Sequence, residues 1–241
     1  MDIPHSSTSS APLPKHLPVA RVRHTIVLLA IMAALAAAGA AYQGAPQTAH
    51  AAPRPSVFAL YLPLLVSEWL MFWYVWARGL RPAGVPLREL IGARWRGPAD
   101  VLRDLALGVL LWGAWRAIEL AWNAASGTDT ARSVAVLLPR GLAEGVLWSA
   151  LACTAGFVEE VVYRGYLQRQ FAAWTQRPAL ALVLQALVFG LSHGYQGVAA
   201  CARIAVFGLL FGLVARWRRS LAPGMMAHAL TDLVAGLLRT G

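Results

Sequence analysis

Seven apolar runs, most of them close to twenty residues long, follow one another along the chain and restrict what it can fold into. About twenty apolar residues in a helix cross a bilayer, where only helices or closed barrels satisfy every backbone polar group. The pattern predicts an all-α, polytopic transmembrane helix bundle of about seven spans. The predicted spans are 25–42, 57–76, 101–122, 141–173, 179–193, 198–215 and 221–238.

The composition supports this class of protein. Of the 241 residues, 58% are hydrophobic and only 13% are charged, whereas about a quarter of a soluble domain is charged. The net charge of +10 is concentrated in short loops such as 78–98 and 216–219. This distribution follows the positive-inside rule, so we expect the lipid bilayer rather than nucleic acid as partner, with the N-terminus cytoplasmic. Cys153 and Cys201 show no ligand spacing and predict neither a disulfide framework nor a zinc ribbon.

The chain divides into three parts. Residues 1–20, rich in Pro, Ser and His, are expected to form a disordered tail. Residues 21–142 hold the first three spans and the basic cytoplasmic loop, and residues 143–241 hold the remaining spans. One alternative concerns the N-terminus, because the apolar core 26–37 and the Ala-His-Ala stretch at 49–51 resemble a cleavable signal peptide. A retained first helix is the favoured interpretation.

Ionisable side chains within an apolar run are the strongest functional signal. Residues 157–164 read Phe-Val-Glu-Glu-Val-Val-Tyr-Arg, although one charge at the centre of a bilayer helix costs roughly 2.5–3.5 kcal/mol on insertion scales. Glu160 and Arg164 are i,i+4 neighbours, and we predict that they neutralise each other. Glu159 points about 100° away from Glu160 on a helix. It is therefore the candidate functional residue of the stretch.

Later runs add two more spaced polar pairs. Phe189 and His193 are four residues apart, as are His228 and Asp232. A carboxylate beside a neutral imidazole can take a proton from water, and a second imidazole can stabilise an oxyanion. The set therefore predicts hydrolysis of an amide without a cofactor. Zinc is the alternative, with Glu159, His193 and His228 as ligands, although the spacing of two histidines on one helical turn is missing.

Other polar residues in the runs have simpler interpretations. Glu68 is interpreted as a partly solvated acid or as the partner of a neighbouring arginine. Arg116 and Glu119 are i,i+3 and are predicted to pair. Ser192 precedes His193, but adjacent residues on a helix point apart, so a serine nucleophile is not expected.

The spaced motifs, taken in order, resemble the signature of the CPBP family, the CAAX-protease and bacteriocin-processing glutamic intramembrane proteases, also called the Abi family. The resemblance extends over about residues 143–240 and includes the pair Arg164-Gly165 and the stretch 220–223, Ser-Leu-Ala-Pro. It implies an intramembrane endopeptidase whose active site lies within the membrane. The implied substrate is a membrane-associated peptide or protein.

The resemblance also implies residue roles. Glu159 resembles the glutamate that activates water, with His193 as its partner, while His228 and residue 232 resemble an oxyanion hole. Structural roles are implied for Glu160, Arg164 and Phe189. The family motif often ends in asparagine, whereas this chain has Asp232, and an ionised aspartate cannot donate a hydrogen bond to an oxyanion. Asp232 could instead orient His228, remain protonated or favour a metal.

A different function is left open by the residues themselves. A membrane protein of the same fold could bind a partner without catalysis, as an immunity-type protein would. The short loops favour a bacterial protein, so the expected location is the bacterial inner (plasma) membrane.

Overall fold

The computed structural model describes residues 17–44, 57–92, 95–127 and 138–237. Most of the expected disordered tail, residues 1–16, lies outside the described residues. The same holds for residues 49–51 of the alternative signal peptide.

The described residues form helices and contain no strand. Those of the amino-terminal half are α1 Val22–Gly44, α2 Val57–Trp73 with a π-helical continuation Tyr74–Leu80, α3 Leu87–Ile91 and α4 Pro98–Ser126. Those of the carboxy-terminal half are α5 Leu142–Glu159, a π-helical stretch Glu160–Leu167, α6 Gln168–Thr175, α7 Pro178–Ser192, a 3-10 turn Gly194–Gln196, α8 Val198–Arg218 and α9 Ala222–Leu237.

The polytopic helix bundle predicted from the apolar runs is confirmed. Within the described residues, five helical stretches are long and apolar enough to cross a membrane. They are Val22–Ala41, Phe58–Leu80, Pro98–Ser126, Leu142–Thr175 and Val198–Arg218. The other two predicted spans correspond to α7, an apolar helix of 15 residues, and α9, a helix of 16 residues.

The continuous helix formed by α5, the π-helical stretch and α6 lies at the centre, with α2 and α9 packed against α5. Small residues allow the close helix crossings. A Cβ on Gly156 of α5 would come within 2.8 Å of the backbone nitrogen of Ala229 on α9, and one on Gly208 of α8 would come within 2.9 Å of Ala186 Cα on α7. Such close approach is how helices associate in a membrane.

Helix α6 holds the amino-terminal segment against the bundle. The Gln170 side chain is fully buried. Its Oε1 accepts hydrogen bonds from the backbone nitrogens of Val19 at 2.8 Å and Ala20 at 3.1 Å, and its Nε2 donates to the Ala20 carbonyl at 2.8 Å. The neighbouring Arg169 donates to the carbonyl of Glu89 in α3 at 2.9 Å. These bonds connect two separate segments of the amino-terminal half to the central helix.

Several charged residues away from the central helix form ion pairs. The predicted pair of Arg116 and Glu119 is confirmed. Glu119 also contacts Arg203 Nη1 at 2.8 Å, which joins α4 to α8. At an end of the same two helices, Arg218 Nε lies 2.8 Å from Asp104 Oδ1. Pairing lowers the cost of placing these charges in a bundle of apolar helices.

Candidate active site

The two adjacent glutamates lie where the central helix changes from α to π geometry. Glu159 is the last residue of α5, and Glu160 is the first residue of the π-helical stretch. Glu159 is 9% exposed and Glu160 is fully buried. A π-helical turn inside an α-helix is rare and is frequently found at functional sites.

Glu160 connects the central helix to α9. Its Oε1 lies 3.3 Å from Arg164 Nη1, which confirms the predicted i,i+4 pair, and 3.1 Å from Nδ1 of His228. Gly224, on the preceding turn of α9, makes the approach possible, because a Cβ there would come within 2.9 Å of Glu160 Oε2. An ionised carboxylate only accepts hydrogen bonds, so Nδ1 of His228 carries the hydrogen.

His228 brings the other two acids together. Its Nε2 lies 3.6 Å from Oε2 of Glu159 and 3.8 Å from Oδ2 of Asp232. Both distances are too long for a hydrogen bond but short enough for strong electrostatic interaction. His228 is 5% exposed, so water screens these interactions weakly. The structure therefore brings three of the four predicted catalytic residues together, with Glu159 and Asp232 beside the imidazole of His228.

An aromatic cluster encloses the charge of Arg164. The Arg164 Cζ atom lies 4.1 Å above the centre of the Phe189 ring, with three further rings within 6.0 Å, those of Tyr163, Phe207 and Phe211. None of the guanidinium nitrogens has a hydrogen-bond partner among the described residues. The ring faces and Glu160 therefore stabilise this buried cation.

His193, the fourth predicted catalytic residue, also packs against the Phe189 ring. The Phe189 centroid is 4.9 Å from the His193 ring and 6.2 Å from the His228 ring. His193 Nδ1 is 2.9 Å from the Phe189 carbonyl oxygen, to which it can donate. Among the described residues His193 makes no hydrogen bond or ion pair with Glu159. The pairing of Glu159 with His193 stays a prediction.

Ser192 contradicts one prediction about side-chain direction. Its Oγ lies 3.4 Å from His193 Nδ1, because His193 follows the last residue of α7 and departs from helical geometry, with φ −97° and ψ 21°. The expectation that the two side chains point apart is therefore wrong. The hydroxyl is engaged elsewhere, since it donates to the Phe189 carbonyl at 2.8 Å and accepts from the Tyr163 hydroxyl at 2.9 Å.

Glu68 of α2 lies near the same site. Its carboxyl group is near enough to Glu159 and Asp232 to interact electrostatically with both, and its Oε2 atom is buried without a hydrogen-bond partner among the described residues. Among the described residues no ion pair joins it to an arginine, and its half-buried side chain agrees with the interpretation as a partly solvated acid. The signal that could have identified it is the rarity of acids within apolar spans, which makes any such acid a functional candidate.

The tyrosine beside this acidic group stays neutral. Tyr195 lies in the 3-10 turn after His193, and Gln196 Nε2 donates to its hydroxyl oxygen at 2.9 Å. Burial raises the pKa of Tyr195 to about 12, and the charges of Glu159, Asp232 and Glu68 act in the same direction. Its hydroxyl therefore keeps its proton and remains a hydrogen-bond donor at physiological pH.

The described residues contain no group of three or more His, Cys, Asp or Glu side chains arranged to hold a metal ion. The zinc ligands considered from sequence are Glu159, His193 and His228. In this arrangement they do not form a ligand cluster.

Comparison with known proteins adds one finding. A family model described as "Type II CAAX prenyl endopeptidase Rce1-like" matches residues 141–234, which extend from the start of α5 into α9. No curated protein and no solved structure matches the chain significantly. The matched region contains all four predicted catalytic residues, whereas Glu68 lies outside it.

Proposed function

Because residues 141–234 of this integral membrane protein are Rce1-like, in agreement with the CPBP family, we propose that it is an intramembrane endopeptidase. It hydrolyses a peptide bond in a membrane-associated peptide or protein. The observation that carries this proposal is the contact of His228 Nε2 with Glu159 and Asp232 in a buried site between α5 and α9. A carboxylate, an imidazole and a further acid around one point are the groups that water-mediated amide hydrolysis requires.

In the proposed reaction, Glu159 acts as the general base. Its carboxylate takes a proton from water, and the water oxygen attacks the carbonyl carbon of the substrate. The C–N bond then breaks, and Glu159 returns the proton to the leaving nitrogen. His193 is retained as the second partner of the attacking water, since donation from Nδ1 to the Phe189 carbonyl leaves its Nε2 as an acceptor.

His228 is proposed to stabilise the oxyanion. Both of its nitrogens face carboxylate oxygens, which accept hydrogen bonds without donating them. The imidazolium form satisfies both sides and points an N–H from Nε2 into the site. Its contact with Glu160 orients this N–H before the substrate arrives, which is the condition for strong oxyanion stabilisation.

The test is to replace Glu159 with Gln and His193 with Ala in the native host. We expect each variant to accumulate an uncleaved precursor, identified by proteomics. Ser149→Ala is the matched control, because Ser149 lies on α5 and its only hydrogen bond among the described residues goes to the Gly145 carbonyl of its own helix. Cleavage that persists in both variants overturns the proposal and favours a protein that binds a partner without catalysis.

Metal dependence is tested separately. We propose catalysis without a metal, so elemental analysis of the active purified protein should find no stoichiometric zinc, and chelation should leave cleavage unchanged. Stoichiometric zinc that is lost in His193→Ala and His228→Ala would assign the metal-dependent mechanism.

We also propose an orientation in the bacterial inner membrane with the N-terminus cytoplasmic. The arginines of loop 78–98 and of residues 216–219 support it, since cytoplasmic loops carry the excess of basic residues. In a variant with Cys153 and Cys201 replaced by alanine, single cysteines introduced at the exposed positions Arg88 and Arg219 should react with a membrane-impermeant maleimide only after the membrane is opened. Labelling of intact cells would reverse the orientation.

A further inference from the structure

A side-chain hydrogen bond joins the carboxy-terminal end of α7, next to His193, to the central helix. The Tyr163 hydroxyl of the π-helical stretch donates to Ser192 Oγ at 2.9 Å. Tyr163 is 3% exposed, so little water competes for this bond. Tyr163 follows Glu159 by four residues on the same continuous helix. The bond therefore connects the residue before His193 to the helix that carries the proposed general base.

The direction of the Ser192 hydroxyl is fixed by its partners. Its single hydrogen is donated to the Phe189 carbonyl oxygen at 2.8 Å, so its oxygen is left to accept from Tyr163. The same Phe189 carbonyl oxygen lies 2.9 Å from His193 Nδ1. Ser192 and His193 therefore share one acceptor, and a movement of Ser192 changes the surroundings of the His193 ring.

The shared acceptor lies at the end of a helix. The carbonyl groups of the last turn of a helix lack the usual helical partner and bind side chains or water instead. Phe189 belongs to the last turn of α7, which ends at Ser192. His193 follows with φ −97° and ψ 21°, outside helical geometry. The orientation of its ring therefore depends on side-chain contacts more than that of a residue inside a helix.

Ring packing supports the same connection. The Phe189 ring packs edge-to-face against Tyr163 at 4.8 Å between centres and against His193 at 4.9 Å. Aromatic pairs prefer this arrangement. Tyr163 thus contacts the end of α7 twice, through its ring with Phe189 and through its hydroxyl with Ser192. Replacing Tyr163 with phenylalanine removes the second contact and keeps the first.

We infer that Tyr163 is a positioning residue of the active site, which acts through Ser192 to hold His193 in a fixed place relative to Glu159. The inference rests on the proposed endopeptidase function, in which Glu159 and His193 act on the same water. Two groups that act on one water have to keep a defined mutual geometry, because small displacements of catalytic groups cost rate.

Three variants separate this role from a general structural one. Tyr163→Phe removes the donor of the bond, and Ser192→Ala removes its acceptor. Tyr166→Phe is the matched control, because Tyr166 is also a buried tyrosine of the π-helical stretch. Its hydroxyl instead contacts Thr25 Oγ1 at 2.7 Å and His24 Nδ1 at 2.8 Å on α1. Each protein is purified in detergent and compared by thermal unfolding before it is assayed.

Cleavage is measured on the precursor that the Glu159→Gln variant accumulates. We expect Tyr163→Phe and Ser192→Ala each to lower kcat by about 3- to 10-fold with little change in KM, as for the loss of one hydrogen bond between neutral groups. The double variant should be no slower than the slower single variant, because both substitutions remove the same bond. Tyr166→Phe should keep the wild-type kcat even where it lowers the unfolding temperature.

Three results of the cleavage assay would overturn the inference. They are a wild-type kcat in Tyr163→Phe, losses that multiply in the double variant, and an equal loss in Tyr166→Phe.

A second measurement does not depend on cleavage. In protein labelled with ¹⁵N-histidine, the ring signals of His193 are those that are missing from His193→Ala. Nuclear magnetic resonance at neutral pH should show them shifted or broadened in Tyr163→Phe and Ser192→Ala, and unchanged in Tyr166→Phe. Unchanged His193 signals in Tyr163→Phe contradict the inference even if no precursor is found. If Glu159→Gln still cleaves while the resonance result holds, the endopeptidase assignment fails and the positioning of His193 stands.

Discussion

Nδ1 of His228 lies 3.1 Å from Oε1 of Glu160, across 68 residues of sequence. The same oxygen is 3.3 Å from the guanidinium of Arg164. The position of His228 therefore depends on the ion pair of Glu160 and Arg164. From the sequence, this pair was expected only to neutralise a charge in the central helix. A change in that pair will affect both the stability of the bundle and the geometry of the site.

Removing Arg164 should be strongly destabilising. Arg164→Met leaves the buried Glu160 carboxylate with His228 as its remaining partner, and breaking a buried ion pair typically lowers the free energy of unfolding by about 3–5 kcal/mol. The double variant Glu160→Gln with Arg164→Met removes both charges and should be clearly more stable than the single one. Unfolding in mixed micelles, followed by circular dichroism, measures both. Equal stability of the single and double variants would show that the pair is solvated.

Gly156→Ala tests the crossing of α5 and α9. The added Cβ meets the backbone of Ala229 and the Met225 carbonyl at 2.8 Å, and backbone atoms cannot rotate away. We expect a loss of about 1–3 kcal/mol in unfolding free energy, as for other overpacked sites. Gly113→Ala on α4 is the control, since no atom lies within 4 Å of its Cβ position. It should be neutral or stabilising by up to about 1 kcal/mol, because alanine favours helix.

Asp232→Asn restores the residue that often ends the family motif. If residue 232 helps to bind the oxyanion, the amide N–H supplies the donor that an ionised aspartate lacks. We expect Asp232→Asn to cleave at least as fast as the wild type and Asp232→Ala to lose roughly 10²- to 10³-fold in kcat, as when other oxyanion donors are removed. A rate in Asp232→Asn as low as in Asp232→Ala would instead assign to Asp232 the orientation of His228, 3.8 Å away.

Gln170→Leu should release the segment before α1. The substitution removes both hydrogen bonds to the Val19 and Ala20 amides. Hydrogen–deuterium exchange at these amides should become about tenfold faster or more, in line with the loss of bonds worth about 1 kcal/mol each. Gln168→Leu is the control, because Gln168 is also buried but donates to the Gly212 carbonyl of α8. Exchange at residues 19 and 20 that rises equally in both variants would indicate general loosening of α6.

The helices could be predicted from sequence because hydrophobicity and length decide which segments enter a bilayer. Pairs within one helix could be predicted as well, since Arg116–Glu119 and Glu160–Arg164 follow from helical spacing. The π-helical stretch could not be predicted, because its hydrogen-bond register depends on contacts with neighbouring helices. The pattern of apolar residues in the sequence does not indicate it.

Contacts between helices could not be predicted from the sequence for the same reason. The ion pair between Arg203 and Glu119 joins residues that are 84 positions apart in the sequence. Nothing in the local pattern of either residue identifies such a partner. The position of the His193 side chain depends on where α7 ends. Ser192 and His193 lie at that helix end, so the side-chain directions expected within a helix do not apply to them.

The π-helical stretch has a further consequence for the central helix. A π-helical turn holds more residues than an α-helical turn, because its hydrogen bonds run from i to i+5, so a change of residues 160–167 to α-helical geometry would rotate α6 relative to α5. Gln170 would then face away from the segment before α1, and Arg169 away from α3, while Glu159 kept its place on α5. The geometry of this stretch therefore fixes the phase between the catalytic end of the helix and the end that anchors the amino-terminal half.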